Sequence, residues 1–338
     1  MGARLRPLLP HRRLKLEALS GRSFLMDAST ELYQFLALIR TPTGEPLRDG
    51  RGNITSHLLG LLSRASRLAR DYSMGLIYVF DGPPNPLKAR ALDKRRRARE
   101  EALSEWRRLL GAGEQAKAWS KAVASAALNE QIVSDAKKLL SLMGLPVLQA
   151  PEEAEAQAAY LAAKGVAWAV GTKDFDALLY GAPRQVRYLT LTGAEWLPSR
   201  GVALRLQPEL FELQEALGKL RISREQLVDV ALLMGTDYNA GLWGIGPRRA
   251  LELIRRYGSL EGLPQALLKE LGEEAFRARQ AYLRPKVAEL EIPEPRPPEE
   301  RELVDFLCGQ RGFSRPRVME AIARLREAWA ARRAWGPA

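Results

Sequence analysis

Residues 23–26, 75–80 and 166–170 are three short apolar runs rich in β-branched and aromatic side chains, and each ends at, or a few residues before, an aspartate. Between them, residues 31–39, 56–70 and 131–143 carry apolar side chains at helical spacing. Strands alternating with amphipathic helices build βαβ units, because parallel neighbours need a long crossover between them. The expected fold class is therefore α/β, a mostly parallel sheet in three layers. In such sheets ligands bind outside the carboxyl ends of the strands, which is where Asp27, Asp81, Asp174 and Asp176 belong.

Residues 146–149 read as a fourth strand, and Pro151 suits the first turn of a helix running through Glu153, Glu155 and Tyr160 to Lys164. Residues 223–234 read as a helix, 235–246 as a loop with four glycines, and 247–257 as a second helix opening at Pro247. Residues 285–300, dense in Pro and Glu, form an extended connector, and 301–334 is helical apart from a break near 309–316. No internal repeat is present.

The acids at these strand ends and helix entrances are Asp27, Asp81, Glu153, Glu155, Asp174, Asp176 and Asp237. Singly, each has an ordinary structural explanation: Asp caps helices, and Glu in a first turn complements the helix dipole. Together they would pile like charge on one sheet edge, which costs stability unless cations neutralise it. Oxygen-only donors at that density select hard divalent ions, Mg²⁺ or Mn²⁺. Two such ions roughly 3.5–4 Å apart would run an in-line phosphodiester displacement. A structural calcium site is the main competitor, but the acids lack the close alternating spacing of a calcium loop.

The rest of the composition narrows the chemistry. Cys308 is the only cysteine, and His11 and His57 are the only histidines. A disulfide framework, a histidine-based zinc site and a Ser-His-Asp engine are thereby disfavoured. Fifty-two Lys and Arg against forty Asp and Glu leave a net charge of +12, consistent with a polyanionic partner. No apolar stretch reaches the length of a membrane span, so a soluble, cytoplasmic, nucleoid-associated protein with no membrane partner is expected.

At the acids and their surroundings the chain resembles the flap endonucleases of the XPG/Rad2 superfamily of 5′ nucleases, the archaeal members most. The matching stretches are Met1-Gly2, MDAS at 26–29, TSHL at 55–58, VFDG at 79–82, APEEAEAQAAY at 150–160, TKDFDALLYGAP at 172–183, MGTDYN at 234–239 and GIGPRRALELI at 244–254. They stand in family order across almost the whole chain. The resemblance implies a PIN-like core with a helical arch and a helix-two-turn-helix DNA-binding element. It also implies two Mg²⁺ ions, one held by Asp27, Asp81, Glu153 and Glu155, the other by Asp174, Asp176 and Asp237, some through water. The implied activity is cleavage of branched DNA near the base of a 5′ flap, in lagging-strand maturation and repair, with 5′-3′ exonuclease activity. The implied layout is a composite nuclease domain over 1–284, with an N-region to about 81, the arch over about 82–130 and an I-region over about 131–257. The connector 285–300 and a helical segment 301–338 complete a chain expected to be monomeric.

Seven basic residues crowd into 88–99 with only Asp93 opposing them. By itself such a run is a solvated helix face; by resemblance it is the arch. Lys88 and Arg95 there align with cations that engage the scissile phosphate, where positive charge stabilises the transition state. Tyr33 corresponds to a tyrosine stacking on a base beside the cut, the alternative being a core tyrosine. The resemblance adds Gly2, Arg40, Arg90 and Lys94 as DNA contacts. Gly244, Gly246, Arg248 and Arg249 would grip the duplex, with a monovalent cation at the turn, where helix N–H groups suit a phosphate. Arg311 and Phe313 lie in a segment resembling the pocket for a one-nucleotide 3′ flap.

The chain departs from the family pattern at Glu152 and Thr172, where serine is usual, and neither change removes a ligand. The end, EAWAARRAWGPA, lacks the family's Gln-x-x-aliphatic-x-x-aromatic-aromatic peptide for the sliding clamp, so either the chain is truncated there or Trp329 and Trp335 serve a divergent version. Rival readings are a 5′ exonuclease or junction-resolving relative, a silent DNA-binding scaffold, and a PIN-type ribonuclease. The scaffold is disfavoured because a binding-only protein gains nothing from negative charge beside a phosphate backbone.

Overall fold

The first apolar run folds as a strand that takes in Asp27 as well, and all five of its side chains are buried. Burial on both faces is what a parallel sheet sandwiched between helices requires. The computed structural model describes residues 4–190, 193–197 and 202–331. Its strands are β1 (Arg12–Arg13), β2 (Ser23–Asp27), β3 (Gly75–Phe80), β4 (Val147–Gln149), β5 (Ala169–Gly171), β6 (Arg184–Arg187), β7 (Gly193–Leu197), β8 (Val202–Leu206) and β9 (Glu209–Glu212). Its first helices are α1 (Ala28–Leu38), α2 (Ser56–Asp71), α3 (Ala89–Gly111), α4 (Gln115–Ala124), α5 (Glu130–Leu142), α6 (Ala154–Ala163) and α7 (Asp176–Leu179). The remainder are α8 (Leu213–Leu220), α9 (Arg224–Met234), α10 (Pro247–Tyr257), α11 (Gln265–Leu283), α12 (Glu300–Val304) and α13 (Arg315–Ala331).

Seven strands form one sheet in the order β1-β9-β6-β5-β2-β3-β4, while β7 and β8 pair separately. The five strands from β6 to β4 are mutually parallel, and β9 and β1 close one edge antiparallel. Alternate residues of β2 and β3 feed opposite layers, as the pleat demands. Phe24, Met26, Leu76, Tyr78 and Phe80 face a core shared with α1, α2, α5 and α13. Leu25, Ile77 and Val79 face the other, shared with α6, α9, α10 and α11. The mostly parallel three-layer sheet expected from the alternating runs is what forms.

Two boundaries differ from the sequence reading, each for a local reason. The run at 166–170 becomes strand only from Ala169, because Gly165 adopts φ +80° and the N–H groups of Gly165 and Val166 cap the Ala162 and Leu161 carbonyls at the end of α6. Pro151 does not open α6, which begins after Glu153. The preceding turn is pinned to β3 instead: Gly82 N–H donates to Glu152 O at 2.6 Å, and Ala150 N–H to Phe80 O at 2.9 Å.

The basic run folds as α3, which packs with α4 through Trp106, Leu109, Ala118 and Ala122. The connector over 285–299 carries neither helix nor strand; Gln157 clamps the backbone of Ala288 from both sides, at 2.8 and 2.9 Å. Leu303, Phe306, Val318 and Ile322 of the C-terminal segment then join the core behind β2 and β3. Among the described residues no helix is long and apolar enough to cross a membrane.

Candidate active site

The carboxyl ends of β2, β3 and β5 and the entrances of α6 and α7 deliver six of the acids to one rim, and the loop after α9 brings Asp237. Asp27, last residue of β2, caps α1, with its Oδ1 accepting from Thr30 N–H at 3.0 Å. Asp81 follows β3 and caps a helix that is not its own: its Oδ1 accepts from Ala154 N–H at 2.8 Å, at the start of α6. That reach depends on Gly82, where a Cβ would lie 2.5 Å from the Ala150 carbonyl oxygen. Glu153 and Glu155 occupy the N-cap and first turn of α6, Asp176 opens α7, and Asp237 lies in the loop after α9.

Electrostatics show the convergence. Burial, with Asp81 and Asp174 adding to it, pushes the Asp27 carboxyl up to about 7. Burial and then Asp27, Asp176 and Asp174 raise Glu155 well above the usual range. Glu153 is raised by burial, with Asp81 and Asp237 adding and Lys88 opposing. The acids thus bear on one another, and burial together with neighbouring carboxylates pushes Asp27, Glu153 and Glu155 toward the protonated form.

Protein cations and hydroxyls take up part of it. Lys88 is buried, donates to Glu153, and lies 5.0 Å from the centroid of the Tyr238 ring. Burial alone would lower its ammonium, but Glu153, Tyr238 and Asp176 outweigh burial and raise it. Arg95 donates to Asp237. Asp176 accepts from the buried Tyr282 hydroxyl at 3.2 Å, and Tyr180 and Tyr238 share a hydrogen bond of 2.5 Å behind it. With the acids engaged in this way, no three His, Cys, Asp or Glu side chains among the described residues close into a ready metal cage. The donor set nonetheless fits hard divalent cations: it is all carboxylate oxygen, buried at Asp27 and Asp176 and half-buried at Glu155.

Thr172 contributes more than its place in the sequence revealed. Its hydroxyl lies 2.9 Å from Glu155 Oε1 and 3.3 Å from Asp27 Oδ2, and accepts from Asp174 N–H at 3.3 Å, so one side chain ties three of the acids together. Its position two residues before Asp174, just past the end of β5, was the signal available. Glu31, also buried near Asp27, was not anticipated at all. Glu152 turns to Asn85, whose Nδ2 donates at 3.1 Å, and lines a recess of about 220 Å³ with Tyr180, Arg284 and Lys286.

The remaining candidates fall into two groups. Arg90, Lys94 and Arg95 line a cleft of about 470 Å³ between α3 and the loop 234–240. Tyr33 is half-exposed rather than in the core; its hydroxyl accepts from Arg99 at 2.9 Å, and the guanidinium lies 4.8 Å from the ring centroid. Gly244, with φ +74°, and Gly246, the N-cap of α10, precede the exposed Arg248 and Arg249. In the second group, Arg40 is spent on the Ala37 and Gly44 carbonyls (3.2 and 2.7 Å). Arg311 grips Asp135 with two bonds, at 3.0 and 2.8 Å, and Phe313 packs against the core. Gly2 and Trp335 lie outside the described residues.

Residues 4–102 match the XPG N-terminal domain and residues 144–237 the XPG I-region. The flap endonuclease 1 of Caldivirga maquilingensis is 45% identical over 320 residues, covering 94% of this chain and 91% of the relative. That of Pyrococcus furiosus is 43% identical over 329 residues, covering 97% and 96%. Among solved structures, flap endonuclease-1 from Methanococcus jannaschii superposes with a TM-score of 0.77 at 36% identity, covering 98% of this chain and 99% of that one.

Proposed function

The chain belongs to the flap endonuclease family of XPG nucleases, and from that premise we propose how its own residues carry out the family's reaction. It is a structure-specific 5′ flap endonuclease, a metal-dependent hydrolase of DNA phosphodiesters, and roles in replication and repair fit the family. The observation that carries the account is the convergence of seven acids, in which burial and neighbouring carboxylates push Asp27 and Glu155 up.

In our reading Asp27, Asp81, Glu153 and Glu155 hold one Mg²⁺ and Asp174, Asp176 and Asp237 the other, with Mn²⁺ able to replace them. Divalent ions bound there would activate water for in-line attack and neutralise the leaving oxygen. The protein's part is to fix the carboxylates before substrate arrives. Thr172 and Tyr282 do so by hydrogen bonds, and Asp81 by its bond to α6. Lys88 and Arg95, now paired with Glu153 and Asp237, exchange those partners for the scissile phosphate once the carboxylates are neutralised. Their charge then stabilises the transition state, where it grows on the phosphoryl oxygens. Arg90 and Lys94 guide the strand along the cleft, Tyr33 stacks on the base beside the cut, and the turn at 244–249 holds the duplex arm.

Glu155→Ala and Asp176→Ala test this directly. Both should abolish cleavage of a flap substrate while binding it nearly as well as the unaltered protein, since the phosphate contacts remain. Near-normal cleavage by either at saturating Mg²⁺ would exclude the proposed site.

A further inference from the structure

Only two large apolar side chains are exposed among the described residues: Leu92 on α3, at 40%, and Trp243, at 94%. Trp243 stands in the turn between α9 and α10, and its neighbours explain why it points outward. Leu242 is buried, with its N–H donating to Leu233 O at 2.9 Å, and Ile245 packs against the core. Between these two anchors, Gly244 turns the chain with φ +74° and leaves Trp243 at the tip.

Scattered apolar surface is normal, but an almost fully exposed indole gives the fold nothing in return for its contact with water. The surroundings indicate what covers it. Tryptophans that anchor protein partners sit at the centre of an apolar patch. The chain around Trp243 instead supplies Gly241, Gly244 and Gly246, then Arg248 and Arg249 on the exposed first turn of α10. Glycines allow close approach of a backbone, and arginines bind phosphates. Between the phosphates of a duplex lie the apolar faces of its deoxyriboses, which a flat indole can cover.

We propose that Trp243 is a duplex-gripping residue, laying its indole against the sugar faces of the DNA arm whose phosphates Arg248 and Arg249 engage. The inference rests on reading the 244–249 turn as a duplex-binding element and adds an apolar component to it. Because sugar contacts release no counterions, this part of the grip is insensitive to salt, unlike the arginine part.

The test measures binding of a blunt DNA duplex to the full chain in EDTA over a range of salt, for the unaltered protein, Trp243→Ala, Trp243→Phe and Arg248→Ala. Trp243→Ala removes a side chain that buries almost nothing, so it folds normally. Its affinity should fall roughly tenfold, within the range for lost aromatic contacts to nucleic acid. The slope of log affinity against log salt should stay unchanged, and Trp243→Phe should recover most of the loss. Arg248→Ala should reduce that slope by about one. The emission difference between the unaltered protein and Trp243→Phe should be quenched by duplex. Unaltered affinity in Trp243→Ala while Arg248→Ala weakens binding would overturn the inference alone, as would quenching by single-stranded DNA and not by duplex. An unchanged affinity and slope in Arg248→Ala would overturn the reading of the turn itself.

Discussion

Replacing Glu31 by Gln should stabilise the protein at alkaline pH and not at acid pH. Glu31 is buried in the first turn of α1, where it accepts from Thr190 Oγ1 at 2.5 Å and Gln34 Nε2 at 3.1 Å. Burial pushes its carboxyl from the ordinary 4.5 to about 7, with the Thr190 bond opposing and Asp27 adding. An acid with a raised folded pKa binds its proton more tightly when folded. Its contribution to stability is complete below about 4.5 and is lost as pH rises through about 7. Above that point the ionised form costs the fold up to about 3 kcal/mol, of which local relaxation and water entry leave roughly 2.

Glu31→Gln never ionises, but its amide nitrogen meets that of Gln34, and losing one neutral hydrogen bond costs about 1 kcal/mol. The net gain near pH 8.5 is therefore about 1 kcal/mol, turning into a loss of similar size near pH 5, where Glu31 is already protonated. Urea unfolding in EDTA, followed by tryptophan emission at both pH values, measures the difference. The same stability change at both, or destabilisation at the higher pH alone, would refute the reasoning.

Other perturbations have equally definite outcomes. Thr172→Val removes the hydroxyl tying Glu155, Asp27 and Asp174 together, and the Mg²⁺ needed for half-maximal cleavage should rise at least about tenfold, with Thr172→Ser restoring it. An unaltered Mg²⁺ requirement would exclude that role. Arg279 is paired at 2.5 Å with Asp229, which is fully buried below α11. Arg279→Ala strands that carboxylate and should cost roughly 3–5 kcal/mol in urea unfolding, and a loss below about 1 would contradict it. Lys88→Ala and Arg95→Ala should each slow single-turnover cleavage roughly 100-fold or more with DNA binding little changed. Unchanged rates would exclude both from the chemical step.

The acids of the candidate site were legible in the sequence because they sit where strands end or helices open, and strand ends are marked by short apolar runs. β3 begins and ends at the residues that bound its run, and α10 opens at Pro247 and closes before Gly258. The antiparallel edge was not legible. β6 reads RQVR and β9 ELFE, so the apolar alternation is masked by charges that pair across the strands, Arg187 with Glu209 and Arg184 with Glu212, both at 3.3 Å. Asp81 capping α6 was invisible for another reason: the cap crosses between segments 73 residues apart, and no local pattern encodes it. Nor could spacing reveal that Arg311 would be gripped by Asp135, a partner supplied by α5.

The most direct test of the central claim is single-turnover cleavage of a double-flap DNA beside a blunt nicked duplex, each with Mg²⁺ and with EDTA. Cutting at the flap base that requires Mg²⁺ and is far faster on the double flap is the predicted result. Cutting that persists in EDTA, or that trims the nicked duplex in preference to the flap, would contradict the account.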